Sequence, residues 1–247
     1  MPTPKKCTPA KSGIDWRSWE PWALIVIVVA IIAVIVTLVV TTSDEGNNLS
    51  SPEAQINPSR FDADSYGLAR RDDNTLAIGD KDAPVVLIDY SDMRCPYCAK
   101  WINEIEPELV KNYVETGKLR IEFRNVVLFG EQSQLGARAV LAAAKQGKGY
   151  EMMEEIFKHM PTDDRGTITS DRIEKWAKNV GIRDLRSFMA VIQTDLYDDE
   201  LAADKAEANQ LSLQSVPAFL INGYPIVGAQ PKQTFIDVIE SALLAIS

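Results

Sequence analysis

Histidine occurs once and cysteine three times in the 247 residues of this chain. That supply excludes an ordinary structural zinc site, which takes four Cys or His ligands, because beyond residue 40 only Cys95, Cys98 and His159 remain. Positive charge is scarce as well. The formal net charge is −9, and since the first 21 residues carry four basic side chains against two acidic ones, −11 falls on the rest. So acidic a body argues against nucleic acid or anionic lipid as a ligand. There is no internal repeat and no low-complexity tract. A hydrophobic content of 46% is ample for one substantial domain with an appendage.

The appendage is N-terminal. Residues 22–40 are 19 positions without a charge, almost all Ile, Val, Leu or Ala. As a helix they extend about 28 Å, close to the hydrocarbon thickness of a bilayer. The run is longer than the core of a cleaved signal peptide, and no A-x-A motif follows in residues 41–46, so an uncleaved signal anchor is expected. Lys5, Lys6, Lys11 and Arg17 precede the span while Asp44 and Glu45 follow it. The positive-inside rule then keeps residues 1–21 cytoplasmic and exports the remainder, with Trp16, Trp19 and Trp22 at the inner interface. The expected location is therefore a cell membrane, crossed once, with the main domain outside. Cys7 is left as a reduced cytoplasmic thiol, and no lipobox-type cysteine follows the span.

Residues 41–74 are rich in Ser, Asp, Asn, Gln and Pro and read as a linker. The domain proper is expected over 75–247. Ala83 to Tyr90 is a short apolar, β-branched run bounded by turn residues, which predicts a buried strand. Trp101, Ile105, Leu109 and Val110 follow near helical spacing up to Gly117, with Pro96 suited to the first turn. Leu119, Ile121 and Phe123 alternate with Arg120, Glu122 and Arg124, a second strand with one apolar face. The result is a right-handed β-α-β unit. Residues 133–213 turn helical, as Ile173, Trp176, Ala177 and Val180, then Leu185, Phe188, Met189 and Ile192, recur at i, i+3, i+4, i+7. Strands return at Ala218 to Ile221 and at Ile226 and Val227 around an Asn222-Gly223 hairpin turn, and a closing helix is predicted from about Gln233 to Ile246.

Cys95 and Cys98 are the only thiols in the part expected outside, and a disulfide closing so short a loop constrains the unfolded chain little. A pair so placed in an oxidising compartment is there for chemistry rather than stability. Cys95 falls just before a helix, where unpaired N–H groups and the dipole favour its thiolate; Cys98, one turn on, is deeper and resolves. A substrate thiolate attacks the Cys95 sulfur and expels Cys98, and a second substrate thiol leaves with the new disulfide.

The run Ser91 to Cys98, with Cys95-Pro96-Tyr97-Cys98 at its end, followed far downstream by Val216-Pro217 and the Asn222-Gly223 turn, resembles the DsbA-type thioredoxin-like proteins over roughly residues 75–247. The resemblance implies an α/β thioredoxin-like fold with an inserted helical domain, here 133–213. It implies a cis proline at Pro217 beside the cysteines, with Val216 before it offering backbone atoms to substrates. It also implies a buried acid at Asp89, six residues before Cys95, that relays the proton of the resolving thiol and whose pKa burial raises. No cofactor is implied; the partners are exported, cysteine-containing proteins and a quinone-linked membrane reoxidase. Two departures stand out: Pro-Tyr replaces the Pro-His of the best-known family oxidase, and His159 is far from the pair. Arg94 adjoins Cys95 and compensates for the missing charge if it points toward the sulfur; pointing into solvent, it is inert.

Rival readings remain at this point. A reductase or an isomerase uses the same fold and pair, though a 41–74 linker leaves no room for an isomerase's dimerisation domain. From another class, Met93-x-Cys95-x-x-Cys98 also spells a Cu(I)-binding pattern.

Overall fold

The computed structural model describes residues 69–246. The cytoplasmic tail, the span expected over 22–40 and most of the 41–74 linker lie outside the described residues. Within them, no helix is long and apolar enough to cross a membrane.

Five strands form one sheet: β1 (Ala77–Ile78), β2 (Val85–Ser91), β3 (Leu119–Asn125), β4 (Ala218–Ile221) and β5 (Tyr224–Val227), in the order β1-β3-β2-β4-β5. β2 and β3 run parallel, and the other neighbours pair antiparallel. The crossover between β2 and β3 is a helical stretch made of α1 (Pro96–Lys100), a π-helical turn (Trp101–Ile105), α2 (Glu106–Leu109) and a second π turn (Val110–Val114). Trp101, Ile105, Leu109 and Tyr113 are buried along it. Four residues overshoot one α-helical turn by about 40°, so the wider π turns are what keep these side chains in one line against the sheet.

The helical insertion comprises α3 (Glu131–Ala144), α4 (Gly149–Lys158), α5 (Ser170–Asn179), α6 (Leu185–Val191) and α7 (Asp198–Gln210), and α8 (Lys232–Ile246) closes the chain. Thr169 caps α5 by accepting from the Arg172 N–H, and Asp184 caps α6 by accepting from the Ser187 N–H. The first face of the sheet presents Leu87, Ile121, Phe123, Phe219 and Ile221 to the larger core, shared with Trp101 and with Phe235 of α8. Trp101 lies 4.4 Å from both the Phe219 and Phe235 ring centroids, and each such aromatic pair adds about 0.5–1.5 kcal/mol beyond area burial.

The second face carries Val86, Ile88, Tyr90, Ala218 and Leu220. β3 has the apolar side its alternation predicts, yet its charged side is buried too, for all seven of its residues are. Arg120 and Arg124 both bond Glu122 at 2.9 Å. Glu207 of α7 accepts from Arg124 Nε at 3.1 Å, from the Tyr90 hydroxyl at 2.7 Å and from Arg71 at 2.6 Å. Asp204 accepts from Arg71 at 2.7 Å and from the Asn125 N–H at 2.9 Å. Residues 69–74, which composition reads as the end of a linker, thus belong to the packed domain: Ala69 is buried and Arg124 donates to its carbonyl.

The β4–β5 turn has Asn222 at φ 44° and Gly223 at φ 86°, the left-handed pair that a two-residue hairpin demands. Asn222 also ties the turn to β2. Its Oδ1 accepts from the Val86 N–H at 2.8 Å, its Nδ2 donates to the Pro84 carbonyl at 3.1 Å, and its own N–H donates to Val86 O at 3.1 Å.

Candidate active site

Cys95 is the N-cap of α1, with Pro96 at the first helical position. Its sulfur accepts from the Cys98 N–H at 3.3 Å, taking up one of the unpaired donors of a helix start. Both cysteines are free thiols in this structure, 2% and 0% exposed, whereas Tyr97 between them is 61% exposed. The Cys95 thiol is held below its ordinary value, chiefly by a hydrogen bond from the Cys98 side chain; burial opposes this, and the N–H groups of Cys98 and Tyr97 assist. Burial pushes Cys98 well above its ordinary value, and the neighbouring Cys95 and Asp89 push it further. The two sulfurs are thereby made unequal, with the anion favoured on Cys95.

The Val216–Pro217 peptide bond is cis. It brings the Val216 carbonyl to 3.5 Å from the Cys95 sulfur, and Gly228 N–H donates to Pro217 O at 2.8 Å. Asp89, opposite Phe123 on one side and Phe219 on the other, is 1% exposed beneath the pair. Burial raises its pKa from 3.8 to about 7. The Ser91 hydroxyl, donating to Oδ1 at 2.6 Å, opposes the shift, as does the nearby Trp101 indole, whose N–H makes no regular hydrogen bond. So Cys95, Cys98, Asp89, Pro96, Tyr97, Val216 and Pro217 are gathered at one end of β2 and the start of α1. His159 is not: it packs on α4 and α5, with Nδ1 2.8 Å from Glu155 O and its ring 5.6 Å from Trp176.

Arg94 does not supply the positive charge that its place in the sequence suggests. Its guanidinium donates to the carbonyls of Gly166 at 2.8 Å and Phe129 at 3.0 Å, fastening the helical insertion to the loop before Cys95. Asp92, which the sequence marks only as part of the run Ser91 to Cys98 and with no role of its own, organises that loop. Its carboxylate accepts from the N–H groups of Arg94 and Leu128 and from the Ser133 hydroxyl, each at 2.7 Å, and from the Phe129 N–H at 3.2 Å. Its negative charge works against the Cys95 thiolate. Gly136 completes the joint, because a Cβ there would stand 2.9 Å from Met93 Cβ and 2.8 Å from Ile168 Cδ1. Glu106, also unforeseen, is another buried carboxyl; burial, followed by the charge of Asp89, pushes it well above the carboxylate range. Among the described residues, no three His, Cys, Asp or Glu side chains group as metal ligands.

Comparison with known proteins adds three likenesses and one family match. The family model described as Thioredoxin matches residues 71–241. The "Probable disulfide bond formation protein D" of Bacillus cereus is 29% identical over 150 residues, which are 60% of this chain and 69% of the relative. The crystal structure of oxidised BdbD from Bacillus subtilis superposes with a TM-score of 0.64 at 21% identity, covering 68% of this chain and 92% of that one. That of α-DsbA1 from Wolbachia pipientis gives 0.63 at 20% identity, covering 74% and 100%.

Proposed function

The chain belongs to the thioredoxin family, and from that premise we propose that its work is to introduce disulfides into exported, cysteine-containing proteins. It is a thiol-disulfide oxidoreductase of the DsbA type, in keeping with relatives named for disulfide bond formation and with DsbA neighbours in fold. The observation that carries the oxidising direction is the inequality of the two sulfurs: Cys95 depressed, Cys98 raised. Stabilising the Cys95 thiolate stabilises the dithiol form, which makes the disulfide form the stronger oxidant.

In the forward reaction a substrate thiolate attacks the Cys95 sulfur of the Cys95–Cys98 disulfide. The Cys95–Cys98 bond breaks and Cys98 leaves as thiolate, which takes a proton from the Asp89 carboxyl. A second substrate thiolate then attacks the substrate sulfur of the mixed disulfide, and Cys95 leaves as the stabilised thiolate. Two electrons have moved from substrate to enzyme. The Val216 carbonyl, held beside Cys95 by Pro217, offers an acceptor for strand-like pairing with the substrate backbone. The dithiol is returned to the disulfide by a quinone-linked membrane oxidase, beside which the uncharged segment 22–40 anchors the enzyme, domain outward.

A second reading has one observation in its favour. With the Arg94 guanidinium held on the Gly166 and Phe129 carbonyls and Asp92 opposing the anion, no cation among the described residues figures in the lowering of Cys95, which points to a less oxidising couple and so to a reductase. The reduction potential decides between them. The full chain in detergent, equilibrated against glutathione, is expected near about −120 mV with an acidic Cys95; a value near about −270 mV would establish the reductase.

A further inference from the structure

Glu106 sits in α2, between the two π turns, 2% exposed, and its Oε1 has no regular hydrogen bond among the described residues. Asp89 Oδ2, Trp101 Nε1 and the Tyr150 hydroxyl are buried and unpartnered in the same sense. These atoms belong to one neighbourhood. Asp89 from β2 and Tyr150 and Glu154 from α4 all interact with Glu106, and Asp89 in turn acts on Cys98. Among the described residues, no cation figures in the shift of Glu106. On the outer side lies a cleft of about 300 Å³, lined by Ile102 and Pro107 from the helix that carries Glu106 and by Glu154 and Lys158 from α4.

A buried acid with spare hydrogen-bonding capacity costs stability, and an apolar side chain of similar size would serve packing better. A function beyond packing accounts for it. Resting on the oxidoreductase reading above, we propose that Glu106 is a positioning residue for the buried thiol: it passes protons between Asp89 and solvent at the Glu154 cleft, by way of Tyr150, so that Cys98 gains or loses its proton without the cysteine face opening to water. The spare donors and acceptors suit bridging water along that route. Burial pushes Glu106 toward its protonated form, and a carboxyl in that form can accept a proton on one oxygen while releasing one from the other.

Oxidation of the dithiol by glutathione disulfide exposes the step. Cys95 thiolate attacks the glutathione disulfide, and one glutathione leaves as thiolate. The Cys98 thiol gives its proton to the Asp89 carboxylate, its sulfur attacks Cys95, and the second glutathione leaves as thiolate. Asp89 then returns to the carboxylate by handing the proton to Glu106, which releases one to the cleft. Two electrons pass from the enzyme sulfurs to the two glutathiones.

Stopped-flow reaction of the full-length dithiol enzyme with glutathione disulfide, across a range of pH, separates the first attack from the resolving step. In Glu106→Gln and Glu106→Leu the resolving step is expected to slow at least about tenfold and to change its pH dependence. The first attack and the titration of the Cys95 thiolate stay in place, Glu106→Leu melts no lower than the wild type, and Glu106→Asp restores most of the rate. A resolving step within about twofold of wild type in both variants overturns the proposal. So does equal slowing of both steps with a lowered melting temperature, which marks a packing role, or slowing in Asp89→Asn alone, which ends the relay at Asp89. If the wild-type enzyme does not exchange with glutathione disulfide at all, it is the oxidoreductase reading that fails.

Discussion

The two faces of the sheet bury carboxylates in opposite ways. On the second face, Glu122, Asp204 and Glu207 meet Arg71, Arg120 and Arg124, so three anions are matched by three cations. On the first face, Asp89 and Glu106 share a space with Trp101, Tyr150 and Cys98, and among the described residues no cation figures in the shift of either. Charge matched by charge fixes geometry. Acid left unmatched holds its proton to a higher pH and is placed to exchange it. The contrast separates the side of the domain that holds it together from the side that reacts.

Breaking the matched side should cost most. Arg124→Met leaves Glu122 and Glu207 short of a partner and is expected to lower unfolding free energy in urea by about 3–5 kcal/mol, with the Cys95 titration unmoved. A loss below about 1 kcal/mol would place the network with ordinary surface pairs. The unmatched side has a pH signature instead. Asp89 in the fold keeps its proton up to about 7, while the unfolded chain releases it near 3.8. Its stabilising contribution is therefore complete below the lower value and is lost as pH rises through the upper one. Asp89→Asn is expected to remove a fall on the order of 4 kcal/mol across that window, read from urea midpoints at successive pH values. An unchanged profile would mean that Asp89 is ionised in the fold.

Arg71→Ala tests the rim of the matched side, where the arginine is partly exposed. A loss of about 1–2 kcal/mol is expected, with faster hydrogen exchange at residues 69–74 and unaltered exchange in β2. The smallest effect is expected from Arg94→Ala, which should leave the pH midpoint of Cys95 thiolate absorbance where it is. A rise of about one pH unit would show that the guanidinium reaches the sulfur in solution.

Much of this was legible in the sequence because it is local. Cys95-Pro96-Tyr97-Cys98 fixes its own helix start, Asn222-Gly223 its own hairpin, and the alternation of β3 its own apolar side. What was not legible depends on distant partners. Arg120, Glu122 and Arg124 alternate as a solvated face would, and only Arg71, Asp204 and Glu207, brought in from far along the chain, make that face an interior. Glu106 stands four residues after Ile102 and three before Leu109, on the apolar side of its helix, but the groups that enclose its carboxyl, Tyr150 and Glu154, come from α4 far along the chain. Arg94 looks like a partner for its neighbour Cys95 because sequence distance is all that can be read; its real partners lie at Phe129 and Gly166.

The stitch that Asn222 makes between the hairpin and β2 bears on how the protein ages. An asparagine followed by glycine is the site in a peptide where the next backbone nitrogen most readily attacks the side-chain amide, releasing ammonia and leaving aspartate or isoaspartate. Here both ends of that amide are occupied, Oδ1 by the Val86 N–H and Nδ2 by the Pro84 carbonyl. The folded molecule is thus shielded at the one bond where the unfolded chain is most exposed. Isoaspartate at position 222 would accumulate in proportion to time spent unfolded, a chemical record of each molecule's history that a peptide map can read.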